Sequence, residues 1–392
     1  MNLDFIRIID KLFGHVIACI LCLYIYAKRI FPCGKESAQI KKILVVRFFG
    51  FGNLVLAFPT IKKISELFPD AKMYLLTINK NRHLYDSVDF VHKSIHINVD
   101  SFKEFFSSFF QVIVCLRKEK FDMAVDFEIF AYISTFIIYM CGIKKRVGYK
   151  MKGYLRGPLY TIAVEYNDNQ HITRTFYDLA VALGAGKKEQ VELIELHGSK
   201  KDRDIVDEFL SKNAFSKRDR LVGIHVGSGE NFINRRWPER NFARVADHLI
   251  ENYHTKILFT GTKAERTLID NTIKEMKSDK NQVVVADTFN LIQLAYLVKQ
   301  CKIYFCTDTG PLHLAIAMGV PTVSFFGPNT PRLYGPPSNK KHLYFYENVS
   351  CSPCITNYNA KMSKCQKPIC LINISAQRVI DSLNVFVKEC FN

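Results

Sequence analysis

Side chains capable of chemistry gather in this sequence just after short apolar runs. One group is Asp308-Thr309-Gly310-Pro311-Leu312-His313, which follows the run Ile303–Cys306. A capping residue with a proline in the first turn marks a helix start, and its free amides suit a phosphate. Asp308 and His313 lie near the same opening and could orient a ligand. A second group is Gly227-Ser228-Gly229, with Arg235-Arg236 shortly after it. Amides at Gly227 and Ser228 and the Ser228 hydroxyl can cradle a diphosphate, and either guanidinium supplies the cation that a leaving diphosphate needs. Glu265 follows Gly261-Thr262 in the first turn of a helix, where a carboxylate can accept ribose hydroxyls or simply face the helix dipole. Earlier in the chain, Gly50-Phe51-Gly52-Asn53 follows the run Ile43–Arg47, and Glu128 closes the segment Asp126-Phe127-Glu128. Glycines there let a ligand approach the backbone, although a glycine pair also marks an ordinary tight turn.

Positioning such groups requires strands that stop where the polar residues begin. Compact β-branched or apolar runs at Ile43–Arg47, Lys72–Ile78, Ser94–Asn98 and Met123–Phe127 predict strands. Between them, Leu54–Phe68 reads as a helix kinked or restarted at Pro59, and Ser101–Lys118 as a second helix. Phe130–Cys141 is a very apolar helix, too short to span a bilayer. The pattern resumes with strands at Leu221–Val226, Lys256–Thr260, Val283–Ala286, Ile303–Cys306 and Thr322–Phe326. Helices at Leu291–Lys299, Leu312–Met318 and Ala376–Cys390 complete it. Between the two halves, residues 198–220 are rich in Lys, Arg and Asp and carry no apolar strand, which places the domain junction there. Asp202-Arg203-Asp204 lies in that stretch without a strand behind it. It reads as a solvated helix start, and no catalytic metal is expected.

The fourteen-residue stretch from Asp308 to Pro321, DTGPLHLAIAMGVP, resembles the most specific motif of glycosyltransferase family 9, the family of the lipopolysaccharide heptosyltransferases. Arg235-Arg236-Trp237-Pro238 resembles that family's K/R-x-W-P signature, whose basic residue contacts the donor phosphates; Arg235 is the closer equivalent and Arg236 a substitute. Gly50-Phe51-Gly52-Asn53 through Pro59-Thr60-Ile61 resembles its first motif, with one departure. The family's usual aspartate, assigned as the base that deprotonates the acceptor, is Asn53 here. Weaker matches follow in the family's order at Arg146-Val147-Gly148-Tyr149 and from His171 to Gly184. The resemblance covers almost everything from Ile43 to Leu383. It implies a GT-B α/β architecture, two Rossmann-like domains facing each other across a cleft. It further implies a nucleotide-diphospho-sugar, ADP-heptose, on the second domain and an envelope-glycan acceptor on the first, with no separate cofactor.

An amide has no proton-accepting role near neutral pH, so Asn53 can orient the acceptor hydroxyl but cannot take its proton. Glu128 is then the expected general base, with Asp308 assisting turnover. Donor contacts are expected at Gly227, Ser228, Arg235, Arg236, Glu265, Thr309, Gly310 and His313.

The formal charge of +17 over 392 residues favours an anionic partner, and no nucleic-acid motif accompanies it. A membrane or glycolipid surface is the expected one. Leu12–Ala27 carries no charge, is short for a span, and is followed by Lys28, Arg29, Lys35, Lys41 and Lys42. It reads equally as an anchor or as a buried or interface-lying helix, and the lysines behind it leave the body of the protein on the cytoplasmic face of the inner membrane. No small-residue cleavage site follows it, so no removed signal peptide is expected. The 12 cysteines are too scattered for a disulfide scaffold. Cys351, Cys354, Cys365 and Cys370 have a spacing that resembles a zinc knuckle, but packed thiols are the preferred reading.

These readings divide the chain into a hydrophobic segment with its basic flank (1–40), an acceptor-side domain (41–197), a charged linker (198–220), a donor domain (221–345) and a cysteine-containing tail with a final helix (346–392). The expected function is an inverting, metal-independent glycosyltransferase at the cytoplasmic membrane face. A nucleotide-sugar-binding protein without transferase activity, a transferase of another sugar in capsule or exopolysaccharide assembly, and a sugar-nucleotide epimerase are the alternatives.

Overall fold

Short runs of Val, Ile, Leu and Phe in this chain form parallel strands buried on both faces, as sheets covered by helices require. The structure, a computed structural model, describes residues 3–29, 39–48, 50–216, 219–337, 341–363 and 365–391. The chain divides into two units: Met1–Glu192 with Thr356–Met362, and Leu193–Ile355 with Ser363–Asn392.

Unit 1 begins with a long helix, α1 (Leu3–Arg29). It continues through β1 (Lys42–Val46), α2 (Phe51–Leu67), β2 (Lys72–Ile78), β3 (Lys93–Ile97), α3 (Phe102–Glu119), β4 (Met123–Asp126), α4 (Tyr132–Met140), β5 (Lys145–Lys150), β6 (Ile162–Glu165) and α5 (Ile172–Val181). Its six strands are ordered β3-β2-β1-β4-β5-β6, and all pairs are parallel.

Unit 2 opens with α6 (Lys200–Lys212), then β7 (Leu221–His225), α7 (Glu239–Tyr253), β8 (Lys256–Thr260), α8 (Arg266–Glu275), β9 (Val283–Ala286) and α9 (Leu291–Lys299). It ends with β10 (Ile303–Thr307), α10 (Gly310–Ala317), β11 (Thr322–Phe326), α11 (Pro331–Tyr334), β12 (His342–Tyr346), α12 (Ile369–Ile372) and α13 (Ala376–Phe391). Its order, β12-β11-β10-β7-β8-β9, is the same doubly wound arrangement.

Most expected elements stand within a residue or two of their predicted bounds, and the differences have physical reasons. The first glycine loop is shorter than expected, because α2 begins at Phe51 and runs unbroken through Pro59. Interior proline costs about 3 kcal/mol, which burial of Val55, Leu56 and Phe58 around it offsets. Residues 198–220 are not a bare linker: they contain α6, capped by Ser199 in a capping box with Asp202. The Asp202-Arg203-Asp204 triplet is therefore part of a solvated helix start. The final helix packs within unit 2. Val379, Leu383, Phe386 and Val387 of α13 join Val245 and Leu249 of α7 in the core of unit 2. It is the short segment Thr356–Met362 that belongs to unit 1, where Asn357 Nδ2 donates to Tyr166 Oη at 2.6 Å. Strands β5, β6 and β12 lack a strand signal in the sequence, since charged and polar residues interrupt their apolar ones. Among the described residues, no helix is long and apolar enough to cross a membrane.

Candidate active site

In a doubly wound sheet the strand order reverses once, and helices leave the two strands there towards opposite faces. The crevice outside their C-terminal ends is where such sheets bind ligands. The reversal lies between β1 and β4 in unit 1 and between β7 and β10 in unit 2. Both chemistry-bearing groups of each unit follow those strands: Phe48–Asn53 and Asp126–Glu128 in one, Gly227–Arg236 and Asp308–His313 in the other.

In unit 2 the packing of Trp237 fixes the arginine pair. Its ring stacks on Phe325 of β11 at 4.0 Å between centroids, and its Nε1 donates to Ile374 O at 2.8 Å. The sole tryptophan is thus a core plug that holds Arg235 and Arg236 at the end of β7. Arg235 lies over the Phe232 ring at 4.2 Å. One corner, Nη1, donates to Asp308 O at 3.3 Å and lies 3.5 Å from Asp308 Oδ2. Its Nε and Nη2 are buried with no hydrogen-bond partner, and so is Arg236 Nε. Asp308, itself buried, also accepts from Asn329 Nδ2 at 2.8 Å. The acid therefore aims the guanidinium and engages Nη1, while Nε and Nη2 keep donor capacity that no protein group uses. Asn329 carried no sequence signal.

Thr309 caps α10 without a side-chain bond to the helix; its Oγ1 donates to Thr307 O instead. Gly310 begins the helix; Pro311 has no N–H and Leu312 N donates to Thr309 O at 3.1 Å, so the amides of Thr309 and Gly310 are the ones next to Asp308. His313 is buried on this helix with its ring tilted against Tyr334 at 6.2 Å.

Gly227 and Ser228 are placed differently from a simple phosphate cradle. A Cβ on Gly227 would lie 2.0 Å from Glu265 Oε1, so the glycine makes room for that carboxylate. Glu265 is buried and its oxygens are already engaged. Oε1 accepts from Gly229 N at 3.2 Å, and Oε2 accepts from Thr262 N and Oγ1, each at 3.0 Å. Burial pushes its pKa up, but neighbouring His225 and these hydrogen bonds outweigh burial and hold the carboxyl below its ordinary value. It braces the loop after β7. The Ser228 hydroxyl donates to Phe232 O at 2.6 Å, which ties the same loop.

In unit 1 Glu128 is more enclosed than its sequence position suggests. It is 1% exposed. Oε1 accepts from Phe48 N at 2.7 Å, and Oε2 lies 3.3 Å from Arg47 Nη1. A carboxylate at a strand end becomes buried here because Arg47 and the Phe48 amide, just past the adjacent strand β1, both direct donors at it. Beneath it lies a second buried pair, Asp126–Arg156, with Nη2 to Oδ2 at 2.8 Å. Ser134 Oγ and Tyr160 Oη also donate to that oxygen, and Arg156 Nη1 donates to Glu128 O at 2.7 Å. Desolvation raises the Asp126 pKa despite these partners. Arg47, Arg156 and Tyr160 escaped notice because partners distant in sequence define the network. Asn53 lies in the first turn of α2, and its Oδ1 is buried without a hydrogen-bond partner. Gly50 before it has φ +76°, a conformation that favours glycine.

Among the described residues no cluster of three or more His, Cys, Asp or Glu is arranged to hold a metal ion. Among the described cysteines, Cys351, Cys354, Cys365 and Cys370 included, no disulfide forms.

The sequence profile of glycosyltransferase family 9 (heptosyltransferase) matches residues 110–364. Lipooligosaccharide heptosyltransferase 2 of Campylobacter jejuni is 22% identical over 344 residues, which cover 86% of this chain and 96% of that protein. Two solved structures share the fold. The glycosyl transferase family 9 protein of Veillonella parvula superposes with a TM-score of 0.74 at 20% identity, covering 90% of this chain and 98% of that one. E. coli ADP-heptose LPS heptosyltransferase II gives 0.68 at 19% identity, covering 89% and 99%. The paired doubly wound sheets, the motifs at their switch points and a family match over more than half its length place this chain in glycosyltransferase family 9, the heptosyltransferases, as an enzyme that transfers sugars.

Proposed function

We propose that the enzyme transfers heptose from ADP-heptose to the core of lipopolysaccharide or a related envelope glycan, with inversion and without a metal. Unit 2 holds the donor and unit 1 the acceptor. The observation that carries this reading is Arg235, whose buried Nε and Nη2 have no hydrogen-bond partner beside the start of α10. Buried charged donors left unmade are costly, and a diphosphate supplies the acceptors they need. The names of the similar proteins, a lipooligosaccharide heptosyltransferase and an ADP-heptose LPS heptosyltransferase, supply the sugar and acceptor class.

Reaction proceeds by attack of an acceptor hydroxyl on the anomeric carbon as the bond to the diphosphate breaks. Negative charge builds on the leaving oxygen, where the Arg235 guanidinium and the α10 amides stabilise it better than in the ground state. Arg236 adds charge at the same edge. Asp308 positions Arg235, and Glu265 with Gly227 and Ser228 shapes the loop beneath the nucleotide. Thr309, Gly310 and His313 line the start of α10. On the acceptor side Asn53 orients the hydroxyl through its unpaired Oδ1. The proton must reach a carboxylate. Glu128 stands beside this loop, and it takes the proton only when the acceptor displaces its contact with the Phe48 amide. Otherwise it acts by holding the loop. Cytoplasmic membrane lipid is the surface on which such an acceptor is met, and the +17 charge suits it.

The test is transfer itself. The purified chain, ADP-heptose and a heptose-free lipid A–core acceptor should give an acceptor heavier by one heptose in mass spectrometry, with or without a chelator. Transfer from other nucleotide sugars but not ADP-heptose would refute the donor assignment, and loss of activity in chelator would refute metal independence. The amide at position 53 favours one competing reading, a binding protein without catalysis. ADP-heptose binding with no transfer to any core acceptor is the outcome it requires.

A further inference from the structure

We propose that α1 lies flat in a membrane surface, its outer face entering an anionic phospholipid bilayer while its inner face stays locked to unit 1. The inference deepens the membrane-facing part of the proposed function and rests on it, because it names the surface that meets the lipid. Its inner face is built for protein. Gly14 packs so closely that a Cβ there would lie 2.6 Å from the Tyr132 ring, and Ala18 is fully buried. The Asp10 carboxylate accepts from the amides of Tyr132 and Ile133 at 2.8 and 2.9 Å, capping α4, which lacks a cap of its own. His15 Nδ1 lies 3.1 Å from Tyr132 Oη.

The opposite face is apolar and uncovered. Leu12, Val16, Ile20 and Leu23 are 62%, 60%, 61% and 71% exposed, and Phe13 lies on the same half of the helix. Sequential steps of about 100° per residue bring these positions to one side, away from Asp10, Gly14 and Ala18. A helix with one face fixed to a soluble domain cannot thread a bilayer without dragging that domain in. Its uncharged part, Leu12–Ala27, would also reach only about 24 Å at 1.5 Å per residue, short of a ~30 Å hydrocarbon core. Lying in the interface, the same helix buries its apolar half among acyl chains.

Charge selects the occupant. The chain carries a net charge of +17, while Lys11 Nζ lies over the Tyr154 ring on the inner face. So basic a protein matches an anionic lipid surface, whereas a second copy of this chain would set like charges together. A second helix of unit 1 also exposes apolar side chains. Phe106, Phe110 and Val114 of α3 are exposed at four-residue spacing. Arg117 Nε donates to Met140 O, so α3 lies beside α4, the helix that carries α1.

The experiment sediments the full chain with vesicles of phosphatidylcholine alone or mixed with phosphatidylglycerol. Binding should be strong only to the mixed vesicles. Leu12→Glu, Val16→Glu and Ile20→Glu together should weaken it roughly tenfold or more, with melting temperature unchanged because these side chains already face solvent. Vesicle-bound parent protein should be released by alkaline carbonate. Undiminished binding of the triple variant, or carbonate-resistant insertion, would overturn the proposal. So would a parent dimer in solution that the triple variant converts to monomer while vesicle binding persists. Transfer to a detergent-dispersed acceptor reports the sugar chemistry separately. Its loss in the parent protein sinks the proposed function, and failed vesicle binding with intact transfer sinks only this surface.

Discussion

Replacing Arg235 by alanine tests the proposed donor site most directly. In the free protein its Nη1 is held by Asp308, while Nε and Nη2 are buried without partners. Each charge-assisted hydrogen bond to a diphosphate oxygen contributes about 1.5–3 kcal/mol. Loss of one such contact raises the ADP dissociation constant about 10- to 150-fold. Arg235→Lys keeps the charge but replaces a fork of donors by a point, so its loss should fall between parent and alanine. The variant without ligand should melt within a few degrees of the parent. Removing unsatisfied buried donors relieves a cost, which offsets the lost Asp308 pair, and Asp308 keeps Asn329. Calorimetric titration with ADP and with adenosine measures this. Adenosine has no phosphates and should bind both proteins alike. An ADP affinity unchanged within about twofold, or an equal loss for adenosine, would refute the phosphate role.

Glu128→Gln should slow transfer by about a hundredfold if the carboxylate takes the proton, and should lower the melting temperature because Arg47 loses a buried partner. A pH–rate profile separates the cases, since a merely structural glutamate leaves the acidic limb in place; Asn53→Asp in an otherwise inactive protein should restore transfer if the chain only binds. Gly227→Ala forces a methyl group onto Glu265 and should cost about 1–3 kcal/mol of stability, read by denaturant titration of parent and variant. Stability should also fall on acidification through unit 2. Burial lowers the pKa of His342 to about 4 and also depresses His225. A depressed histidine binds fewer protons folded than unfolded, so stability is lost as pH falls below the unfolded value. For His342 the loss from pH 7 to pH 5 comes to about 2 kcal/mol, and His342→Gln should abolish that share of the shift.

Local sequence determined much of this protein. The runs at Lys256–Thr260, Val283–Ala286 and Thr322–Phe326 are strands with the predicted bounds because short runs dominated by apolar and β-branched residues have few other ways to be buried. Asp308-Thr309-Gly310-Pro311 marks a helix start through chemistry confined to one turn, so that start was legible from spacing, while a donor-binding role came only from the family resemblance. What tertiary structure alone decided is how each of those groups is occupied. Nothing near Gly227 in sequence announces that Glu265 fills the space of its missing side chain. Nor does Glu128 reveal that Arg47 and Phe48 take its oxygens, since those partners lie about eighty residues away and meet it only through the β1–β4 pairing. That the final helix joins α7 in the core of unit 2 is likewise visible only in the packing. Leu12–Ala27 shows the limit most plainly. Hydropathy gives it an apolar character, but only the contacts of Asp10, Gly14 and Ala18 show which side of the helix is already spoken for. Sequence fixes which groups a chain can offer; long-range packing decides which remain free to act.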